Sequence, residues 1–294
     1  MAVVLPTPVE VPTRVLVFGM ARLDGTIHAS ELYPVADACG QSAEQLRSCL
    51  RRLVSERLLT RNGSGRTAVF RTTSAGERLV GTTLERHQLA YLQDAQGRGW
   101  DRRWHLVAFA IPESRRGARD QLRDQLLAFG GAAVGNGLYV SAHPWEKDVR
   151  DEAERLDVLE SLTVASTEDL DVAGIHDPRA IALRLWPIED LAIRYQQFLE
   201  QFGGVLVRLR YLRSRHERIA DTDFLPGALQ MVTAFNECFG TDPLLPPELL
   251  PRPWPGRAAR ELLVTSRRLA LRIREVHERP ALFRAFDDLI EQVP

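Results

Sequence analysis

Ser42-Ala43-Glu44-Gln45-Leu46-Arg47-Ser48-Cys49-Leu50-Arg51-Arg52-Leu53-Val54-Ser55 carries signals for both the start and the buried side of a helix. Ser42 followed three residues later by Gln45 has the form of a capping box, in which two otherwise unpaired N–H groups are satisfied reciprocally. Ala43, Leu46, Cys49, Leu50, Leu53 and Val54 then recur at i, i+3, i+4 and i+7, the spacing of one buried stripe. Glu44, Ser48, Arg51, Arg52 and Ser55 fall on the opposite face, with Gln45 and Arg47 on the flanks. A helix of this length fits the DNA major groove, where arginine can bond guanine through two N–H groups.

The flanking residues fit this reading. Upstream, Thr13 to Leu23 reads as a short first helix. Ala29-Ser30-Glu31-Leu32 opens a second, with Ser30 as cap, Pro34 tolerated in its first turn and Gly40 closing it. Downstream, Leu58 to Arg61 reads as a strand, Asn62-Gly63-Ser64-Gly65 as a turn, and Thr67 to Thr72 as a second strand. Helix, turn, helix and hairpin make a winged helix-turn-helix. From Gln41 to Arg66 there are six arginines against two acids, an excess of four positive charges that can neutralise phosphates. The expected contacts to double-stranded DNA are Ser42, Glu44, Gln45, Arg47, Ser48, Arg51 and Arg52 on the helix, and Arg61, Asn62, Ser64 and Arg66 at the hairpin. Two other readings stand beside this one: an ordinary solvated helix face, and a winged module that binds only protein. Ser74 to Gln93 reads as a helix connecting this segment to the rest, with an apolar stripe that could also pair with a twin.

The chain has 294 residues, enough for two or three domains, with 45% apolar and 26% charged residues. No apolar run is long enough for a membrane span, and Met1 to Pro12 lack the features of a signal peptide. Cys39, Cys49 and Cys238 show no metal-ligand spacing, and their odd number argues against a disulfide framework. A reducing cytoplasm is the expected compartment. Net charge is −1, and Lys147 is the single lysine among 38 basic residues. GC-rich coding accounts for that bias, so arginine abundance alone is not read as nucleic-acid recognition.

Gln96-Gly97-Arg98-Gly99 and Gly174-Ile175-His176-Asp177-Pro178 separate three segments: 1–96, 97–176 and 177–294. In the middle one, Trp104 to Ile111 reads as a buried strand. Glu113 to Phe129 reads as an amphipathic helix with Leu122, Leu126, Leu127 and Phe129 inward. Gly135-Asn136-Gly137 joins two further strands, Trp145 to Leu156 is a second helix, and Leu162 to Ser166 a last strand. The order βαββαβ is the ferredoxin-like unit. His143 reads as a loop residue capping the helix that follows. The last segment reads as all-α, with helices over Pro178–Leu185, Glu189–Arg218, Phe224–Phe239, Pro255–His277 and Pro280–Gln292, and a proline-dense extended loop from Pro243 to Pro255. Arg208, Arg210, Arg213, Arg215 and Arg218 could meet a phosphate-bearing ligand or form a solvated face beside acids. The class is therefore α+β.

Several blocks resemble a known family. Trp100-Asp101-Arg102-Arg103-Trp104-His105-Leu106-Val107, Ile111-Pro112-Glu113 and Gly137-Leu138-Tyr139-Val140-Ser141-Ala142-His143-Pro144 look like the central block of the PaaX-like, phenylacetate-responsive repressors. Asp242 to Pro251 and Trp254-Pro255-Gly256 look like its C-terminal block, and Leu50-Arg51-Arg52-Leu53-Val54 with the following hairpin matches its DNA-contacting part. The resemblance implies a homodimer on a two-half-site operator and repression of aromatic-acid catabolic genes. It also implies release by an aryl-acyl-CoA such as phenylacetyl-CoA, and a central domain with the fold of CRISPR-associated nucleases. Some members of the family answer to other catabolites. Candidate effector contacts are Arg103, Trp104, His105, Tyr195, Arg208, Tyr211, Phe235 and Trp254, with the ligand expected between the middle and C-terminal segments; no family ligand motif assigns them. No metal, cofactor, catalytic residue or membrane partner is expected. A metal-dependent nuclease remains the rival enzymatic reading.

Overall fold

The structure is a computed structural model and describes residues 10–97, 99–135, 137–219, 221–273, 283, 286 and 290, with the backbone of 221–223. Expectations at Asn136, and at most of the helix expected over 280–292, lie outside the described residues.

The chain begins with α1 (Thr13–Gly19), β1 (Thr26–His28), α2 (Ala29–Ala38) and α3 (Ala43–Ser55). Strands β2 (Leu59–Asn62) and β3 (Val69–Thr72) follow, then α4 (Ser74–Gln96). The first helix stops at Gly19 because the chain turns there: the Arg22 N–H donates to the Thr26 carbonyl (2.9 Å) and leads into β1. Strand β1 has no expected counterpart. Three residues are too few to show alternation, and it exists because it pairs with β3 in the antiparallel order β1-β3-β2.

That strand also changes the start of α2. His28, not Ser30, is the N-cap, and the Ala29 N–H donates to the Ala68 carbonyl (3.0 Å) beside β3. Pro34 consequently lies inside α2 rather than in its first turn. The end of α2 is as expected. Gly40 takes φ +72°, its N–H donates to Asp37, and the Gln41 N–H reaches back to Ala36 (2.8 Å), a Schellman close.

Next come β4 (Trp104–Phe109), α5 (Arg116–Ala128), β5 (Ala132–Gly135), β6 (Leu138–Ser141), α6 (Glu146–Arg155) and β7 (Leu162–Thr167). The sheet order is β5-β6-β4-β7 with every neighbour antiparallel, the arrangement of a βαββαβ unit. Residues 113–115 form a 3-10 turn ahead of α5 rather than its first turn. Leu127, expected inward, is exposed: Leu122 and Leu126 hold the buried face, and Leu127 stands about 100° further round the helix. The chain ends in α7 (Pro178–Leu185), α8 (Ile188–Ser214), α9 (Asp221–Phe239) and α10 (Pro255–Ile273). Pro178 opens α7 behind Asp177, whose carboxylate accepts from the Ala180 N–H (2.9 Å). No helix of the described residues is long and apolar enough to cross a membrane.

Contacts divide the chain into two compact units that are discontinuous in sequence. One comprises Met1–Tyr91, Tyr195–Phe239 and Pro255–Pro294, and the other Leu92–Arg194 and Gly240–Trp254. In the first, Leu16, Ile27, Leu32, Leu46, Leu50 and Leu53 share a core with Leu225 and Leu229 of α9. In the second, the two faces of the sheet are both covered. Val107 and Tyr139 face α5 and α6. Trp104 and Val140 face Ile181, Trp186, Leu245 and Leu249. The proline-dense loop therefore supplies core residues there. Its Leu244 carbonyl accepts from His143 Nε2 (2.7 Å) and Gln93 Nε2 (3.3 Å). This corrects the expectation for His143: the N-cap of α6 is Trp145, with no side-chain cap.

Leu229 is fully buried in the N-terminal core although it lies on α9. Truncating Leu229→Ala should cost about 2–5 kcal/mol of stability. Urea unfolding followed by far-ultraviolet circular dichroism measures this, and an unshifted midpoint would show that α9 does not complete that core.

Candidate nucleic-acid interface and ligand cavity

Helix α3 is held by both ends of its capping box: the Gln45 N–H donates to Ser42 Oγ (3.2 Å), and the Ser42 N–H donates to Gln45 Oε1 (2.7 Å). Leu46, Cys49, Leu50 and Leu53 are buried beneath it. Ala43, placed in the stripe by its spacing, is exposed at the first turn. The outward side is as expected. The side chains of Arg51 and Arg52 are 68% and 64% exposed. Ser48, Arg61, Asn62, Ser64 and Arg66 are also exposed, so all eleven expected DNA contacts reach solvent.

Their partners determine what the surface can do. Glu44 accepts from Arg47 (2.7 Å) and from Arg51 (3.2 Å). The Arg47 hydrogen bond holds the Glu44 carboxyl below its ordinary range, and the same contact raises Arg47. Arg52 lies 3.9 Å from Glu56, the residue that ends α3. At the hairpin, Arg61 Nε donates to the Gly63 carbonyl (3.1 Å), and Arg66 stands 5.9 Å from the Tyr33 ring centre. A phosphate or a guanine edge would compete with Glu44 for two arginines at once.

The expected effector residues are divided between the two units: Arg103, Trp104, His105 and Trp254 belong to one, and Tyr195, Arg208, Tyr211 and Phe235 to the other. Trp104 is core, 6.2 Å from Trp186 in a stacked pair, and Trp254 packs on the same cluster. Arg103 is paired with Glu168 (2.7 Å). His105 is buried and bridges two carboxylates, Glu146 (2.5 Å) and Asp101 (3.0 Å). Among the described residues no cluster of three or more His, Cys, Asp or Glu could hold a metal ion. Tyr195 is fully buried, and Tyr211 is exposed. Arg208 and Phe235 both line a cavity of about 860 Å³ inside the first unit. Its walls come from α1, α4, α8, α9 and α10 rather than from the central strands. The rest of the arginine group scatters. Arg210 and Arg213 line a second hollow with Arg268 and Arg272, and Arg215 pairs with Glu217 (2.7 Å). The Arg218 guanidinium donates to the Arg272 carbonyl (3.0 Å).

His87 on α4 reads in the sequence only as part of that helix's apolar stripe, because nothing near it in the chain marks it as a site residue. It lines the cavity among rings that arrive from distant segments: Phe239 at 4.2 Å, Phe286 at 5.2 Å, Tyr91 at 6.0 Å and Phe235 at 6.1 Å between centres. Its Nδ1–H donates to the Thr83 carbonyl (2.8 Å). Burial pushes it down to about 4 from an ordinary 6.5, with Arg86 and Arg260 adding repulsion. The unfolded chain takes up this proton below about 6.5 and the folded chain refuses it until about 4. Stability is therefore fully present above that window and is lost as pH falls through it. The full loss is roughly 3 kcal/mol at about 1.4 kcal/mol per unit. His87→Phe should flatten the fall in melting temperature between neutral pH and about pH 5. Equal slopes in the two proteins would remove His87 as the cause; burial also lowers His143, so some slope remains in the variant.

Residues 97–182 match the family model described as the PaaX protein central Cas2-like domain, and residues 186–277 match the PaaX-like protein C-terminal domain. The Transcriptional repressor PaaX of Escherichia coli (strain K12) is 23% identical over 245 residues, which are 83% of this chain and 74% of that protein. An uncharacterized protein from Mycobacterium tuberculosis has a similar fold, with TM-score 0.55 and 20% identity over 88% of this chain and 94% of that one. Two consecutive domain matches in order, with a repressor aligned across both, make this chain a member of the PaaX-like family.

Proposed function

We propose that this protein is a DNA-binding transcriptional repressor of aromatic-acid catabolic genes. In this reading a homodimer holds its operator in the cytoplasm through an N-terminal winged helix-turn-helix and lets go when an aryl-acyl-CoA such as phenylacetyl-CoA binds. One observation carries the DNA half: α3 turns Arg47, Arg51 and Arg52 to solvent over a buried leucine stripe, and a hairpin bearing Arg61 and Arg66 follows it. The repressor among its relatives supports the regulatory half. Segment 1–96 contacts DNA and connects, 97–176 is the ferredoxin-like centre, and 177–294 serves effector binding and dimerisation.

The release is a population shift. The dimer sets two α3 helices about 34 Å apart, one turn of B-DNA, or a multiple of it. The effector binds the form with a different spacing more tightly, and by linkage DNA weakens effector binding by the same factor.

Purified protein and labelled fragments from upstream of aromatic-acid catabolic genes test this by fluorescence anisotropy. Binding should weaken steeply with salt. Arg51→Ala with Arg52→Ala should cost several kcal/mol, about 1–3 kcal/mol for a lost base contact, with the salt slope reduced by about one for a lost phosphate contact. Unchanged affinity in the folded double variant would remove α3 as the DNA-contacting helix.

Phenylacetyl-CoA should lower operator affinity by about 5- to 150-fold. If neither it nor free phenylacetate changes the affinity, this effector class is excluded.

A further inference from the structure

The cavity of the first unit has a chemically divided wall. Deep inside, Phe235, Phe286 and Tyr91 surround His87, which offers Nε2 as an acceptor because Nδ1 carries the proton given to Thr83. Ser266 also lines it and is 5% exposed, and its buried Oγ has no hydrogen-bond partner among the described residues. Leaving such a group unmatched costs about 1–3 kcal/mol, so Ser266 favours a ligand with a hydrogen-bonding group among its apolar atoms. Among the described residues, the charged ones in the lining are Arg14, Arg208, Arg218 and Arg267, with no acid beside them. The volume suits a small molecule.

Arg14 connects this wall to the DNA-contacting helix. It sits on α1, and its Nη1 pairs with Glu56 Oε2 (3.2 Å) at the C-terminal end of α3. The other oxygen of Glu56 faces Arg52 at 3.9 Å. An anion at the cavity wall competes with Glu56 for Arg14, and a released Glu56 carboxylate is then left to Arg52 on the DNA-facing side.

We propose that this cavity binds a small molecule with a ring-bearing apolar body, a hydrogen-bonding group that meets Ser266, and an anionic head that takes Arg14 from Glu56, thereby drawing Arg52 away from DNA. The output rests on the repressor reading; the binding itself does not. The carboxylate of a free acid and the phosphates of a thioester conjugate supply the same anionic chemistry, and the choice of probe separates them.

Calorimetric titration of the full chain with phenylacetate, phenylacetyl-CoA and coenzyme A alone tests the site. One molecule per chain should bind for the first or the second. Coenzyme A alone should bind at least tenfold more weakly than phenylacetyl-CoA if the thioester is the ligand. Gly227 lines the cavity on α9, and a Cβ there meets nothing within 4 Å, so Gly227→Leu adds apolar bulk at the cavity wall from an unobstructed Cβ. That variant should lose tenfold or more in probe affinity, with circular dichroism and ligand-free operator affinity unchanged. Equal affinity in Gly227→Leu and the parent, or no binding of any probe to the parent, overturns the site. Arg14→Met should bring the ratio of operator affinities without and with saturating probe towards one; an unchanged ratio overturns the Arg14 step. If the probe binds, Gly227→Leu abolishes binding and operator affinity never responds, the cavity stands while the Arg14 step and the effector reading fail.

Discussion

The core beneath the arginine-bearing helix is closed by residues from another part of the chain. Leu225 and Leu229 of α9 share it with Leu46, Leu50 and Leu53 of α3 and with Leu32 of α2. Burying two leucines contributes about 1.5–3 kcal/mol each, comparable with much of a domain's net stability. A helix 170 or more positions downstream is therefore part of the foundation of the arginine-bearing surface. This ties α3 to the C-terminal helices through packing, which resists gradual deformation and favours discrete rearrangement.

Charge is arranged on that foundation in pairs that can be exchanged. Glu44 holds Arg47 and Arg51, and Glu56 holds Arg14 while approaching Arg52. Each pair is largely solvent-exposed, so each is worth little to stability. Their value is as alternatives. An arginine that loses a weak surface partner gives up little when it meets a phosphate, and the carboxylate left behind is repelled by the same phosphate. A modest change at Glu56 is thus felt at Arg52 without any large loss of folding energy.

The second unit uses the opposite strategy, with polar groups committed deep inside. Trp186 Nε1 donates to the Gly130 carbonyl (2.9 Å), and Gly131 lies so close to Trp145 that a Cβ would stand 2.4 Å from its ring. Nearer the surface, the Glu248 carboxylate accepts from the exposed Gly99 N–H (3.1 Å). With both faces of the sheet covered, β4 reads as a near-continuous apolar run rather than an alternating one.

Local signals sufficed wherever a residue's role is decided by its neighbours in the chain. The capping box at Ser42, the close at Gly40, the leucine stripe of α3, the exposed arginines opposite it and the βαββαβ order were all legible, because caps, turns and periodicity act over a few residues. The same locality explains the misses. β1 forms only against β3, and that pairing shifted the cap of α2 from Ser30 to His28. His143 turned from a helix end to the carbonyl of Leu244, and the aromatic and arginine residues expected to meet a ligand were divided between two units. Sequence alone determined which helix faces outward with positive charge and the order of its supporting elements. Only the tertiary structure decided that α9 completes its core and that His87, Ser266 and Arg14 share one cavity, since those neighbours are brought together by long-range burial of apolar surface, which leaves no short-range pattern in the chain.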